Sequence, residues 1–141
     1  MEQTRLTTIE KVIFLKSVDI FEHAPIEELG RVAALMEEAQ FEAEETIYRE
    51  GEPLEAIYII LKGRVAVQSN GKVIREMGEK RAVGTLSALD FNSALRTVKA
   101  IEPIHALKLQ VQDFQDILSL DFELVKAVFR VVAQQIRTGE W

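Results

Sequence analysis

The sequence predicts a mainly β domain, a small antiparallel β-sandwich or jelly roll with helices before and after it. Three observations carry that prediction. Hydrophobic periodicity is helical up to about residue 37, falls to a period of two from Gln40, and turns helical again after Gln110. Asn70-Gly71 stands between two alternating segments, R-V-A-V-Q-S and K-V-I-R-E-M, and this pair accepts the positive φ angles of a type I′ turn. No Pro/Gly/Ser-rich linker divides the 141 residues, which are 48% hydrophobic and 28% charged, as expected of one globular unit. The expected organisation is a single domain over 1–141, with lead helices about 7–37, a jelly roll about 40–110 and a C-terminal helix pair about 111–137.

The first helix opens at Thr7, which with Glu10 forms a T-x-x-E capping box, and Ile9, Val12, Ile13 and Lys16 follow a helical repeat. Phe21 is expected to anchor the following segment in the core. A second helix starts at Pro25, suited to a first helical position, and places Ile26, Leu29, Val32, Ala33 and Met36 on one face. Phe41 and Ile47 then mark strands in polar surroundings, and A-I-Y-I-I-L at 56–61 reads as a buried strand. After the hairpin come strands near Thr97–Ile101 and Ile104–Leu109, separated by Pro103. A short helix over Val111–Leu118 and a longer one over Phe122–Arg137 complete the chain. The longer helix carries two apolar rows, Val125, Phe129, Val132 and Ile136 beside Leu124, Val128 and Val131. Either both face the core, or one row meets a partner helix and makes the domain a weak homodimer.

Charge and composition exclude several functions. Net charge is −6, and residues 37–55 alone hold eight acids against Arg49, leaving +1 for the rest of the chain. Such a distribution provides no basic stripe for a phosphate backbone, so no nucleic acid is expected to bind this domain alone. There are no cysteines, which removes disulfides, thiolate metal sites and a cysteine nucleophile. The longest apolar run is strand-length, so no membrane insertion is expected, and the polar opening MEQTRLTTIEKV is unlike a signal peptide. A cytoplasmic location is the expectation. The two histidines, His23 and His105, lie 82 positions apart without a His-x-His pair, and there is no G-x-S-x-G elbow. No enzyme activity, catalytic residue or metal is expected.

The order of motifs resembles the cyclic-nucleotide-binding domain, the jelly-roll module of catabolite-activator-like regulators, kinase regulatory subunits and gated channels. The opening FLKSVDIFEHAPIEELGRVAALM is similar to that family's lead helices. In ETIYREGEPLEAIYIILKGRVAVQ, residues Ile47, Gly51, Glu52, Tyr58, Ile60, Gly63 and Val65 occupy the family's pattern positions. Glu44 and Lys80 stand where the family has glycine. The family's phosphate-binding cassette, F-G-E-L-A-L then P-R-S-A-T-V, corresponds here to Val83-Gly84-Thr85-Leu86-Ser87-Ala88 and Ser93-Ala94-Leu95-Arg96-Thr97-Val98.

The resemblance implies a ligand site at Gly84, Thr85, Leu86, Ser87, Ala94, Arg96 and Thr97. Thr85 takes the place of the glutamate that accepts from the ribose 2′-hydroxyl, and Ala94 the place of the arginine that neutralises the cyclic phosphate. Arg96, two residues on, shares Ala94's face of an extended segment, where it either reaches an anion or, as strand arginines more commonly do, faces solvent. Gly84 permits a tight turn, and the N–H groups of Leu86 and Ser87 open a short helix. Phe91 and Leu95 are placed to fill a vacated pocket. The expectation is a regulatory or interaction module with no cofactor, in which cyclic AMP or cyclic GMP is a weak or lost ligand. The alternative is a working sensor of a cyclic nucleotide or other small anion that signals through its C-terminal helix. Family members that regulate transcription carry a helix-turn-helix after the long helix, and none follows before Trp141; a place within a larger protein is one of the alternatives left open.

Overall fold

Thr7 opens α1 (Thr8–Leu15) through a reciprocal capping box. Its hydroxyl accepts from the Glu10 N–H at 3.1 Å, and the Glu10 carboxylate accepts from the Thr7 N–H at 2.8 Å. The computed structural model describes residues 5–90 and 92–139; Phe91 and Trp141 lie outside the described residues. In α2 (Ile26–Leu35) the proline is the cap rather than the first helical residue: Pro25 has ψ 148° and gives its carbonyl to the Leu29 N–H at 3.3 Å. The apolar face of α1 is rotated from the one the repeat suggests, while α2 buries its expected face apart from Ile26. Ile9, Ile13 and Ile26 are exposed, whereas Leu15, Leu29, Val32 and Ala33 are buried. In a two-turn helix two stripes compete, and the one containing Leu15 wins because Val18 and Phe21 carry the chain straight into the core behind it.

Eight strands form two antiparallel four-stranded sheets. One has the order β1 (Glu37–Phe41), β8 (Ile104–Gln110), β3 (Ala56–Lys62), β6 (Ala82–Val83). The other runs β2 (Thr46–Tyr48), β7 (Thr97–Ala100), β4 (Val65–Ser69), β5 (Lys72–Met77). The jelly roll therefore begins at Glu37, three residues before the expected boundary, and β6 is too short to be read from any period. Strand β3 explains its own sequence. Ile57 and Ile59 face the helices while Ile60 faces the other sheet, so both faces are dry and the alternation vanishes. The hairpin turns at Asn70 (φ 53°) and Gly71 (φ 79°), as the Asn-Gly pair requires.

Glu44 (φ 74°) and Lys80 (φ 70°) keep the left-handed backbone that the glycine positions of the resembled family demand. A side chain there costs roughly 1–2 kcal/mol of steric strain. Glycine removes that strain but adds about 0.4–1 kcal/mol of chain entropy to the unfolded state. Glu44→Gly and Lys80→Gly are therefore each expected to stabilise the fold by about 0.5 kcal/mol in urea unfolding; a loss at both positions contradicts the account.

At the C-terminus α4 (Val111–Leu120) leads into α5 (Phe122–Arg137), capped by the Asp121 carboxylate, which accepts from the Leu124 N–H at 3.1 Å. The two apolar rows part company. Leu124, Val128, Val131 and also Val132 are buried against the domain, while Phe122, Phe129 and Ile136 are 57–70% exposed. No described helix is long and apolar enough to cross a membrane.

Candidate functional site

Strand β6 ends at Gly84, whose φ of 92° makes it the left-handed N-cap of α3 (Thr85–Leu89). Only glycine fits. A Cβ at this position meets the Tyr48 Oη at 2.6 Å and the Leu54 Cδ1 at 3.1 Å. The buried Tyr48 hydroxyl lies against the carbonyls of Ala56 and Val83, donating its hydrogen there and tying β2 to β3 and β6. Burial pushes its ionisation well above the usual tyrosine range.

Beside Gly84 lies a half-open pocket with a volume of about 80 Å³. Of the residues expected in the site, Gly84, Leu86, Ser87, Ala94 and Arg96 line it. Ala94 is 5% exposed and presents a methyl group. Its backbone is held on both sides, its N–H donating to Glu52 O and its carbonyl accepting from the Gly51 N–H, both at 2.9 Å. Leu95 also lines the pocket, but at 41% exposure it does not fill it.

Thr85 and Thr97 are not in the lining. The Thr97 hydroxyl accepts instead from the Glu50 N–H at 3.0 Å, closing the loop after β2. Thr85 is 2% exposed, and among the described residues its hydroxyl has no hydrogen-bond partner. An orphaned buried hydroxyl costs about 1–3 kcal/mol. The near-isosteric Thr85→Val is thus expected to stabilise the fold by about 1 kcal/mol, raising the melting temperature by about 3 °C. A scanning-calorimetry midpoint that falls would show that the hydroxyl is satisfied in solution.

Four polar residues line the pocket that sequence reasoning did not find: Asp19, Arg75, Arg81 and Gln135. The Asp19 carboxylate accepts from Arg81 Nε at 2.9 Å, from the Ile20 and Ala82 N–H groups at 2.7 and 3.2 Å, and from Gln135 Nε2 at 3.4 Å. Burial raises the Asp19 pKa above its ordinary value, and the Arg81 charge and the hydrogen bonds only partly oppose that. This cluster joins the short 3-10 turn Asp19–Phe21, β6 and α5 at one wall of the pocket. No local signal marks it, because Asp19 and Gln135 are 116 positions apart. The histidines are elsewhere. His105 is paired with Glu38 at 2.7 Å, His23 lies 3.8 Å from Glu22, and neither lines the pocket.

A family model described as the cyclic nucleotide-binding domain matches residues 38–121. An uncharacterized NTE family protein of Mycobacterium tuberculosis is 29% identical over 124 residues, covering 87% of this chain and 21% of that protein. The chain thus spans about a fifth of that relative's length. The regulatory subunit of a cAMP-independent protein kinase A from Trypanosoma brucei is 26% identical and superposes with a TM-score of 0.77, over 92% of this chain and 47% of that one. A variant of that subunit with three substitutions, one of them threonine to arginine, has cAMP bound in its A site. It superposes with a TM-score of 0.76 at 26% identity, over 91% of this chain and 46% of that one.

Proposed function

Because the chain belongs to the cyclic nucleotide-binding domain family, we propose that it is a non-catalytic regulatory module in which binding of cyclic AMP and cyclic GMP is weak or lost. One observation carries this reading. Where the family resemblance places two anchoring side chains, the pocket wall has the Ala94 methyl group, and Thr85 is buried outside the lining. Losing both polar contacts costs about 3–5 kcal/mol, two to four decades of affinity. Calorimetric titration with each cyclic nucleotide should return a dissociation constant near millimolar or no heat. A micromolar constant overturns the reading.

A second reading, a working sensor of a small anion, is favoured by Arg96 in the lining and by the Gln135–Asp19 contact that joins the pocket to α5. Both readings place the domain in the cytoplasm as part of a larger protein, without nucleic acid as its partner.

Self-association belongs to the proposal as well. Phe122, Phe129 and Ile136 recur every seven residues on the exposed side of α5, the spacing of a two-helix seam. The domain should dimerise weakly through residues 122–137, and Phe129→Glu should abolish the dimer. Sedimentation that finds only monomer up to roughly millimolar concentration, about 4 kcal/mol of association, removes this part.

A further inference from the structure

The wall of the pocket opposite Gly84 carries two arginines that nothing neutralises. Arg75 lies on β5, level with Val67 on β4, which is level with Val98 on β7; Arg96 is two residues before Val98. All four line the pocket, with Arg96 in the bend just before β7 (Thr97–Ala100). The two arginines are then separated by two strand spacings, about 10 Å, and an offset of up to about 7 Å where the chain enters β7. That separation is within the combined reach of two extended arginine side chains, so both guanidinium groups can meet on one ion. Among the described residues neither side chain has a hydrogen bond or ion pair. The one acid in the lining, Asp19, is already engaged by Arg81.

Two uncompensated like charges beside an apolar cavity repel each other and are partly desolvated, and an anion between them relieves both costs. The charge also concentrates anions locally in a chain whose net charge is −6. The rest of the wall is apolar, with Leu54, Val67, Met77, Val83 and Leu86 contributing. The space, about 80 Å³ and half open to solvent, suits the apolar body of a small molecule.

We propose that the pocket binds a compact organic oxyanion, with its charged head held between Arg75 and Arg96 and its apolar body against Leu54, Val83 and Leu86. The head is a phosphate monoester or a carboxylate, and it is held by the β5–β7 wall rather than at Ala94. This inference rests on the reading that cyclic nucleotides are poor ligands, and it names what the same pocket takes instead.

Titration of the isotope-labelled domain with monobutyl phosphate, butyrate and 1-butanol, followed by amide chemical shifts, tests it. At least one anion should bind at least tenfold more tightly than butanol, and which one does so assigns the head group. Arg75→Gln and Arg96→Gln should each weaken the preferred anion by about tenfold and leave butanol unchanged, and Arg→Lys at each site should recover part of the loss. Butanol binding as tightly as both anions, or neither anion shifting the residues of the pocket, defeats the proposal without any variant. Anion affinity unchanged in folded Gln variants defeats it as well. Cyclic AMP run in parallel keeps the two readings apart. Micromolar cyclic AMP binding defeats the functional reading, whereas failed discrimination between the anions and butanol defeats only this inference.

Discussion

Ala94→Arg should tighten binding of cyclic AMP by at least tenfold, 1.4 kcal/mol or more, over a starting constant near millimolar. The backbone of Ala94 is held by two hydrogen bonds of 2.9 Å, so a side chain grown there is aimed from a fixed base into the pocket that the methyl group now lines. A charge-assisted hydrogen bond to a phosphate contributes about 1.5–3 kcal/mol. Repulsion from Arg75 and Arg96 works against the new arginine in the empty pocket and is relieved when the anion arrives, which adds to the gain on binding. Thr85→Glu behaves differently. At 2% exposure and outside the lining, a carboxylate there loses its hydration without reaching the ligand, so the change destabilises the fold and adds nothing to the affinity of Ala94→Arg. Calorimetry on the two single variants and the double variant separates these outcomes. A folded Ala94→Arg domain with no gain means that room in the pocket, with Leu95 in the wall, limits binding rather than the missing charge.

Gly84→Ala should cost about 3 kcal/mol of stability and lower the melting temperature by about 10 °C. Two terms add. A left-handed backbone at φ 92° costs an alanine roughly 1–2 kcal/mol. The new methyl group also lies 2.6 Å from the Tyr48 Oη and 3.0 Å from its Cζ, an overpacking worth about 1–3 kcal/mol. Tyr48 cannot move aside cheaply, because its hydroxyl is tied to the Ala56 and Val83 carbonyls. In a double-mutant cycle Tyr48→Phe should recover part of the loss, since it removes the nearest atom of the clash. A loss below about 1 kcal/mol for Gly84→Ala, with no coupling to Tyr48→Phe, shows that the turn relaxes and that Gly84 is not held by its neighbours.

Much of the fold was legible because local physics dictated it. The Thr7–Glu10 box, the Asn70-Gly71 turn, the dry strand at 56–61 and the helix over 122–137 each depend on residues within one or two turns of one another, and each is found where the sequence predicts it. The face of α1 was not legible, because Ile9 and Ile13 fit a helical stripe as well as Leu15 does, whereas Leu29, Val32, Ala33 and Met36 of the expected α2 face are buried. Strand β6 was missed because two residues have no period to read. In the site, Gly84, Leu86, Ser87, Ala94 and Arg96 came from a contiguous motif, while Thr85 and Thr97 show that membership of the motif does not decide which way a side chain turns.

By itself the sequence determined the succession of helical and strand segments, the glycine that turns β6 into α3, and the absence of charge at position 94. These follow from backbone conformations and residue identities that no distant contact alters. Only the tertiary structure decided that Thr85 is buried outside the pocket, that Arg75 and Arg96 share its wall, and that Asp19 joins Arg81 to Gln135 across 116 positions. The physical reason is that side-chain direction at a turn is set by what packs behind it. The meeting of residues on different strands is set by sheet order and register, which the β4–β5 and β4–β7 pairings establish only when the whole sheet has formed.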